Sequence, residues 1–135
     1  MTRWLVDASV LLACEDADDV NHPHAIRLLA GSDPIATVDL AFYEVTNVAI
    51  VAWHDPEAAR RLLELIEAVA GDGGLVRASD SLLSKAAQVA TSEGISVYDA
   101  AYVVAASQAG AELVSCDGRD LVAPGLARSP AEAAG

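Results

Sequence analysis

Residues 3–15 read RWLVDASVLLACE and place an aspartate between two apolar runs. Its first part, RWLVD, is a short apolar run that ends in Asp7, which is typical of a strand buried on both faces. The following residues, ASVLLACED, are typical of a helix. An aspartate at such a junction is costly if it is buried without a partner. It is favourable if it caps the helix or binds a cation, and this stretch alone leaves those explanations open.

The rest of the chain repeats this alternation of short apolar runs and helical segments. Further strands are predicted in DPIATV, LVRAS and AELVSC, and further helices in HPHAIRLLAG, DLAFYEVTNVAIVAW, PEAARRLLELIEAVAGDGG, DSLLSKAAQVATSEG and SVYDAAYVVAASQAG. This alternation predicts an α/β fold with a mostly parallel sheet covered by helices on both faces. With 135 residues, we expect a single domain over residues 1–135. Its tail would hold one short edge strand, and residues 129–135 would be frayed.

The charge balance restricts the possible partners. The chain has 20 acidic and 8 basic residues, so its formal net charge is −12. Such a surface repels nucleic acid at long range, because phosphate binding normally depends on clustered lysine and arginine. It favours a basic protein partner or bound cations, and any function on RNA must explain how the phosphate charge is neutralised.

The sequence does not indicate a membrane protein or a disulfide-bonded protein. No apolar run is long enough to cross a bilayer, and Asp7 interrupts the first apolar segment, unlike a signal peptide. A cytoplasmic location follows as the expectation. Cys14 and Cys116 lack the spacing of metal ligands, so we expect both to be reduced.

Four acids lie in apolar surroundings, and each has a structural explanation. Asp7 would cap the helix that follows it. Asp99 lies three residues after Ser96, so the two could form a capping box. Asp117 lies in an ordinary turn. Glu44 is different because it lies well inside its predicted helix, where capping is not possible.

The four acids together suggest a shared site. Ligands of open α/β sheets bind at the carboxyl ends of the strands, where Asp7 and Asp117 are expected. Carboxylates brought together without a counter-charge would repel each other, and a hard divalent cation such as Mg²⁺ or Mn²⁺ removes this conflict. Beside a phosphodiester, such an ion activates water and neutralises charge. The pattern therefore predicts an enzyme that cleaves phosphate esters.

Four segments, VDASVLLA, EVTNVA, YDAAYVVAA and LVSCDGRDL, resemble in this order the PIN domain, and most closely the VapC-type toxins of bacterial toxin–antitoxin pairs. The resemblance runs from the first strand to about Leu121. It implies a PIN-like three-layer fold with a short central sheet of four to five strands. It also implies catalytic and metal-binding roles for Asp7, Glu44, Asp99 and Asp117, and auxiliary roles for Ser9, Asn47, Ser115 and Asp120. Arg119 neighbours Asp117 and is the best candidate to contact a substrate.

The resemblance further implies a metal-dependent endoribonuclease, in which water activated by Mg²⁺ or Mn²⁺ attacks a phosphodiester of tRNA or rRNA. A cognate VapB-type antitoxin with a basic C-terminal segment would neutralise it, in a homodimer or a toxin–antitoxin hetero-oligomer. An apolar stripe on the fourth predicted helix would either belong to the core or form part of the antitoxin groove; it consists of Leu62, Leu63, Ile66 and Val69. The alternatives are a catalytically inactive PIN-like domain that binds protein or RNA, and an acidic-pocket phosphohydrolase or receiver domain.

Overall fold

Four short parallel strands form the centre of the molecule in the computed structural model, which describes residues 1–135. They are β1 (Trp4–Val6), β2 (Ile35–Val38), β3 (Leu75–Val76) and β4 (Glu112–Val114). Their order in the sheet is β3-β2-β1-β4, and all three pairings are parallel. This topology confirms the predicted α/β fold. It also places the carboxyl ends of β1 and β4 side by side.

Seven α-helices connect and cover the strands: α1 (Ala8–Glu15), α2 (His22–Ala30), α3 (Leu40–Asn47), α4 (Pro56–Gly71), α5 (Asp80–Glu93), α6 (Val97–Gln108) and α7 (Pro130–Ala134). One π-helical turn, Val48–Ala52, follows α3, and a second, Gly118–Val122, follows β4. The segment predicted as one helix over residues 39–53 therefore changes geometry after α3. In its last turn the Trp53 N–H donates to the Val48 carbonyl, five residues earlier, at 3.0 Å.

The alternation of side chains along β1 produces two cores. Trp4 and Val6 pack with residues of α1 to α4 on one face of the sheet. Leu5 packs on the other face with residues of α5 and α6. Leu113 and Val114 of β4 divide between the two cores in the same way. The sheet is thus covered on both faces, as predicted for a three-layer fold.

The prediction that residues 129–135 are frayed is wrong. Pro130–Ala134 form α7, which packs against α2 with Pro130 buried. A capping box stabilises its start: the Glu132 N–H donates to Ser129 Oγ at 3.2 Å, and the Ser129 N–H donates to Glu132 Oε1 at 3.0 Å. The predicted edge strand of the tail is reduced to one bridge between Arg128 and Val114.

The apolar stripe of α4 belongs to the core. Leu62, Ile66 and Val69 are buried, so they cannot form a groove for an antitoxin. Leu63 is half-buried and lines a surface cavity. No helix is long and apolar enough to cross a membrane. Cys14 and Cys116 are both free thiols.

Candidate active site

Asp7 follows β1 directly and caps α1. Its carboxylate accepts the Val10 N–H at 3.3 Å and is 6% exposed. The Ser9 hydroxyl donates to the same carboxylate oxygen, Oδ1, and accepts the Cys116 N–H at 2.9 Å. Asp7 is therefore both a helix cap and a buried acid. Ser9 connects it to the chain segment that follows β4.

Burial governs the protonation of Asp7. The loss of hydration raises the pKa of its carboxyl from 3.8 to about 6. The Ser115 and Ser9 hydroxyls and the Val10 N–H oppose this rise, while the negative charge of Asp99 adds to it. Nearby hydrogen-bond donors thus compensate only part of the cost of burying this anion, and a bound cation would compensate more.

Three further carboxylates lie close together at the same edge of the sheet. Asp99 is in the first turn of α6, where the Ser96 hydroxyl accepts its backbone N–H at 3.0 Å. Asp117 caps the second π-helical turn by accepting the Asp120 N–H at 2.9 Å. One carboxylate oxygen from each of Asp99, Asp117 and Asp120 lies within 4.8 Å of the other two. Asp120, which was predicted as auxiliary, belongs to this closest group.

Electrostatic repulsion within this group is visible at Asp99. Burial is the main cause that raises the pKa of its carboxyl, and the charges of Asp117 and Asp120 raise it further. The Ser96 hydroxyl partly opposes this rise. An ion of opposite charge would relieve the repulsion.

Ser115 lies between Asp7 and this group. It is fully buried, and its hydroxyl accepts the Asp117 N–H at 3.0 Å. The same hydroxyl lowers the pKa of the Asp7 carboxyl. Ser115 therefore links the acid that follows β1 to the acid that follows β4.

Glu44 approaches from α3 and is half-buried. Its Oε1 accepts a hydrogen bond from the Tyr102 hydroxyl at 2.6 Å. Burial raises the pKa of Glu44; the Tyr102 hydrogen bond opposes the rise, and the charge of Asp99 adds to it. The charge of Asp99 thus raises the pKa of both Asp7 and Glu44, which couples these two acids electrostatically to the closest group.

Tyr102 is a further residue of the site that the sequence pattern does not indicate. A tyrosine in the apolar segment YDAAYVVAA resembles an ordinary core residue, and the ring is indeed buried, at 2% exposure. The signal that could have identified it is its position three residues after Asp99, which places both side chains on one face of α6.

Two predicted residues lie at the margin or outside the site. Arg119 is almost fully exposed, with Nε 3.2 Å from Asp120 Oδ1, so it adjoins the acids at the surface. Asn47 is exposed at the end of α3 and lines a surface cavity with Phe42 and Thr46. It makes no hydrogen bond to any of the acids, so its predicted auxiliary role has no geometric support.

The donor set fits a hard divalent cation. Of the five ion pairs in the structure, the Arg119–Asp120 pair alone includes one of these acids. The protein itself therefore supplies little positive charge to a group of carboxylates from several elements. Oxygen ligands of this kind suit Mg²⁺ and Mn²⁺.

Comparison with known proteins agrees with this arrangement. The model of the PIN domain family matches residues 4–123. Ribonuclease VapC3 of Pyrobaculum aerophilum is 31% identical over 123 residues, which cover 85% of this chain and 89% of that protein. A crystal structure from Pyrobaculum aerophilum is 26% identical, with a TM-score of 0.69, and the match covers 98% of this chain and 94% of that one.

More distant structures share the fold. The Mycobacterium tuberculosis toxin VapC20, described as cleaving the sarcin–ricin loop, is 19% identical with a TM-score of 0.67, over 90% of this chain and 95% of that chain. A toxin–antitoxin complex from Klebsiella pneumoniae is 16% identical with a TM-score of 0.68, over 93% and 96% of the two chains. The family match and the VapC3 relative confirm the resemblance that the four sequence segments indicated. This chain therefore belongs to the PIN domain family, among the relatives of the VapC ribonucleases.

Proposed function

We propose that this protein is a metal-dependent endoribonuclease and the toxin of a VapBC-type pair, acting on tRNA or rRNA in the cytoplasm. The observation that carries the proposal is the group formed by Asp99, Asp117 and Asp120, whose carboxylate oxygens lie within 4.8 Å of one another. The charge of Asp99 also acts on Asp7 and Glu44. The kinship with Ribonuclease VapC3 supports a ribonuclease activity. The acids alone would repel RNA, so catalysis requires a cation between them and the phosphate.

In this proposal Asp99, Asp117 and Asp120 hold Mg²⁺ or Mn²⁺, and Asp7 and Glu44 complete the acidic surroundings. When bound there, such an ion would supply positive charge for the phosphodiester and would make water a better nucleophile. The contribution of the chain is to hold the oxygen ligands in place. Ser9 and Ser115 orient and stabilise the Asp7 anion. Arg119, which is paired with Asp120 at the exposed margin, is accessible to a phosphate of the substrate.

The experiment that tests this proposal is cleavage of purified tRNA and rRNA at neutral pH. We expect discrete fragments in the presence of Mg²⁺ or Mn²⁺, and no cleavage when EDTA is in excess. Restoring the metal should restore cleavage of the same bonds. Cleavage that persists in EDTA, or an absence of cleavage on both RNA classes with metal present, would contradict the proposed activity.

An antitoxin with a basic C-terminal segment completes the proposal. The net charge of −12 favours a basic partner, and the carboxylates of Asp99, Asp117 and Asp120 offer partners for an arginine or lysine side chain. Such a side chain would occupy the place of the cation. Binding of the antitoxin and of the metal are therefore expected to compete.

We also propose that two copies of the chain associate through an apolar surface on α3, the first π-helical turn, α5 and α6. This surface consists of Tyr43, Ile50, Val51, Leu83, Val97 and Tyr98, each at least 42% exposed. Tyr43 joins the two cavities that these residues line. Asp39 is the one charged residue that lines either cavity. Two molecules of charge −12 repel each other least through such a face, and exposed apolar patches of this kind mark interaction sites.

Replacing Leu83 with Glu should weaken this association. The charge would be placed on the contact surface in both copies, and like charges facing each other disfavour association strongly. We expect the concentration at which the dimer dissociates to rise by about 10-fold or more, measured by light scattering after size exclusion. Ile26→Glu is the matched control because Ile26 has a similar exposure, 44% against 45%, on the distant helix α2. A parent protein that is monomeric at all concentrations would contradict the dimer.

A further inference from the structure

The buried hydroxyl of Tyr102 connects helices that are distant in sequence. Tyr102 lies on α6, and its hydroxyl donates to Glu44 Oε1 on α3 at 2.6 Å, across 58 positions of the chain. The Ala8 backbone at the start of α1 also lies against this hydroxyl, and Asp7 is near enough to influence its pKa. The hydroxyl therefore sits where the elements that carry Asp7, Glu44 and Asp99 meet.

A tyrosine is a costly residue for this position if packing is its only purpose. The ring is 2% exposed, and a phenylalanine would fill nearly the same volume without burying a polar oxygen. The hydroxyl compensates for its burial through Glu44, and Glu44 makes no other hydrogen bond within the protein. The contact thus engages one oxygen of the Glu44 carboxylate and leaves the other for a ligand.

We propose that Tyr102 is a positioning residue: by holding Glu44 Oε1, it fixes the Glu44 carboxylate in the orientation that metal binding and RNA cleavage need. This inference rests on the proposed function, because it assigns Glu44 to the metal-binding surroundings. Tyr102 would thus belong to the site although it carries no charge that binds the metal. Partners that hydrogen-bond to metal ligands typically change metal affinity or activity by 10–100-fold.

The test compares Tyr102→Phe with the parent protein in two assays. Thermal unfolding during titration with MnCl₂ gives the half-saturating Mn²⁺ concentration without any RNA present. The rates of RNA cleavage at increasing MnCl₂ concentration give the half-saturating Mn²⁺ concentration in a second, independent assay. We expect Tyr102→Phe to raise the half-saturating concentration by about 10-fold in both assays. The rate at saturating metal should fall less, because the ligands themselves remain.

Trp4→Phe is the matched control. The Trp4 ring is also buried, at 7% exposure, and its Nε1 donates to Asp33 Oδ2 at 3.0 Å. This hydrogen bond lies at the amino end of β1, whereas the acids lie at the carboxyl edge of the sheet. This variant loses an aromatic hydrogen bond, as Tyr102→Phe does. We expect it to lower the melting temperature without changing the half-saturating Mn²⁺ concentration. An equal increase in both variants would overturn the positioning role, since it would reflect a general loss of stability.

A double-mutant cycle tests whether Tyr102 acts through Glu44. In a Glu44→Gln background, Tyr102→Phe should change the half-saturating Mn²⁺ concentration by less than about 2-fold, because the carboxylate it positions is already absent. Additive effects of the two substitutions would overturn the inference. A parent protein that binds Mn²⁺ and cleaves RNA while Tyr102→Phe behaves identically would also overturn it, and would leave the proposed function intact. A parent protein that binds no Mn²⁺ would instead refute the proposed function, and this inference with it.

Discussion

Asp7→Asn is expected to reduce RNA cleavage by at least about 100-fold. Loss of a residue that only hydrogen-bonds to a metal ligand typically reduces metal affinity or activity by 10–100-fold. Loss of a charged residue of the site itself should reduce activity more. The fold should be unaffected. Asparagine caps helices about as well as aspartate, so the bond from the Val10 N–H to the side chain at position 7 can persist. The measurement is the initial rate of RNA cleavage at saturating Mg²⁺, with circular dichroism to verify the fold.

Asp55→Asn is the matched control for this substitution. Asp55 caps α4 by accepting the Ala58 N–H at 3.1 Å, as Asp7 caps α1, but it does not belong to the group of acids. We expect this variant to cleave RNA at the rate of the parent. If Asp7→Asn also cleaved at the parental rate, Asp7 would be a structural cap only and the proposed mechanism would be wrong.

The metal-free protein should lose stability as the pH rises from about 4 to about 6. Asp7 has a pKa of about 6 in the folded protein, against an ordinary value of 3.8. The folded state therefore holds a proton that the unfolded state has already released, and folding becomes less favourable across this interval. Since one pKa unit corresponds to about 1.4 kcal/mol, Asp7 alone should lower the free energy of unfolding by about 3 kcal/mol. Above pH 6 this contribution levels off.

Urea unfolding in EDTA at pH 4, 5, 6 and 7 measures this loss. Asp7→Asn should lack the Asp7 contribution and should be the more stable protein at pH 7. Mg²⁺ at about one hundred times its dissociation constant should add about 2.7 kcal/mol to the parent at pH 7 and so cancel most of the loss. A parent and a variant with the same pH dependence would show that Asp7 titrates at its ordinary value.

The position of the site could largely be predicted from the sequence. Asp7 and Asp117 follow apolar runs, and the parallel-strand rule places such residues at one edge of the sheet. The order β3-β2-β1-β4 makes β1 and β4 neighbours, so their distance along the chain is irrelevant. Glu44 could be recognised because a carboxylate inside an apolar helix needs a partner. The structure supplies that partner as Tyr102.

Other details of the structure depend on contacts between residues that are distant in sequence. Tyr102 lies three residues after Asp99, but its role depends on its hydroxyl reaching Glu44 on α3, a contact across 58 positions of the chain. Asp120 joins the closest group because the π-helical turn after Asp117 brings it back toward Asp99. The last helix, by contrast, had a local signal: Ser129 and Glu132 have capping-box spacing, with Pro130 at the first helical position.

Acids from separate elements are expected to form one site for a divalent cation. Crystals soaked in MnCl₂ and measured with X-rays near the manganese absorption edge test it most directly. We expect an anomalous peak at about 2.0–2.3 Å from carboxylate oxygens of Asp99, Asp117 and Asp120, a distance typical of small hard cations. Anomalous peaks found only elsewhere on the surface, or none at saturating MnCl₂, would contradict the claim.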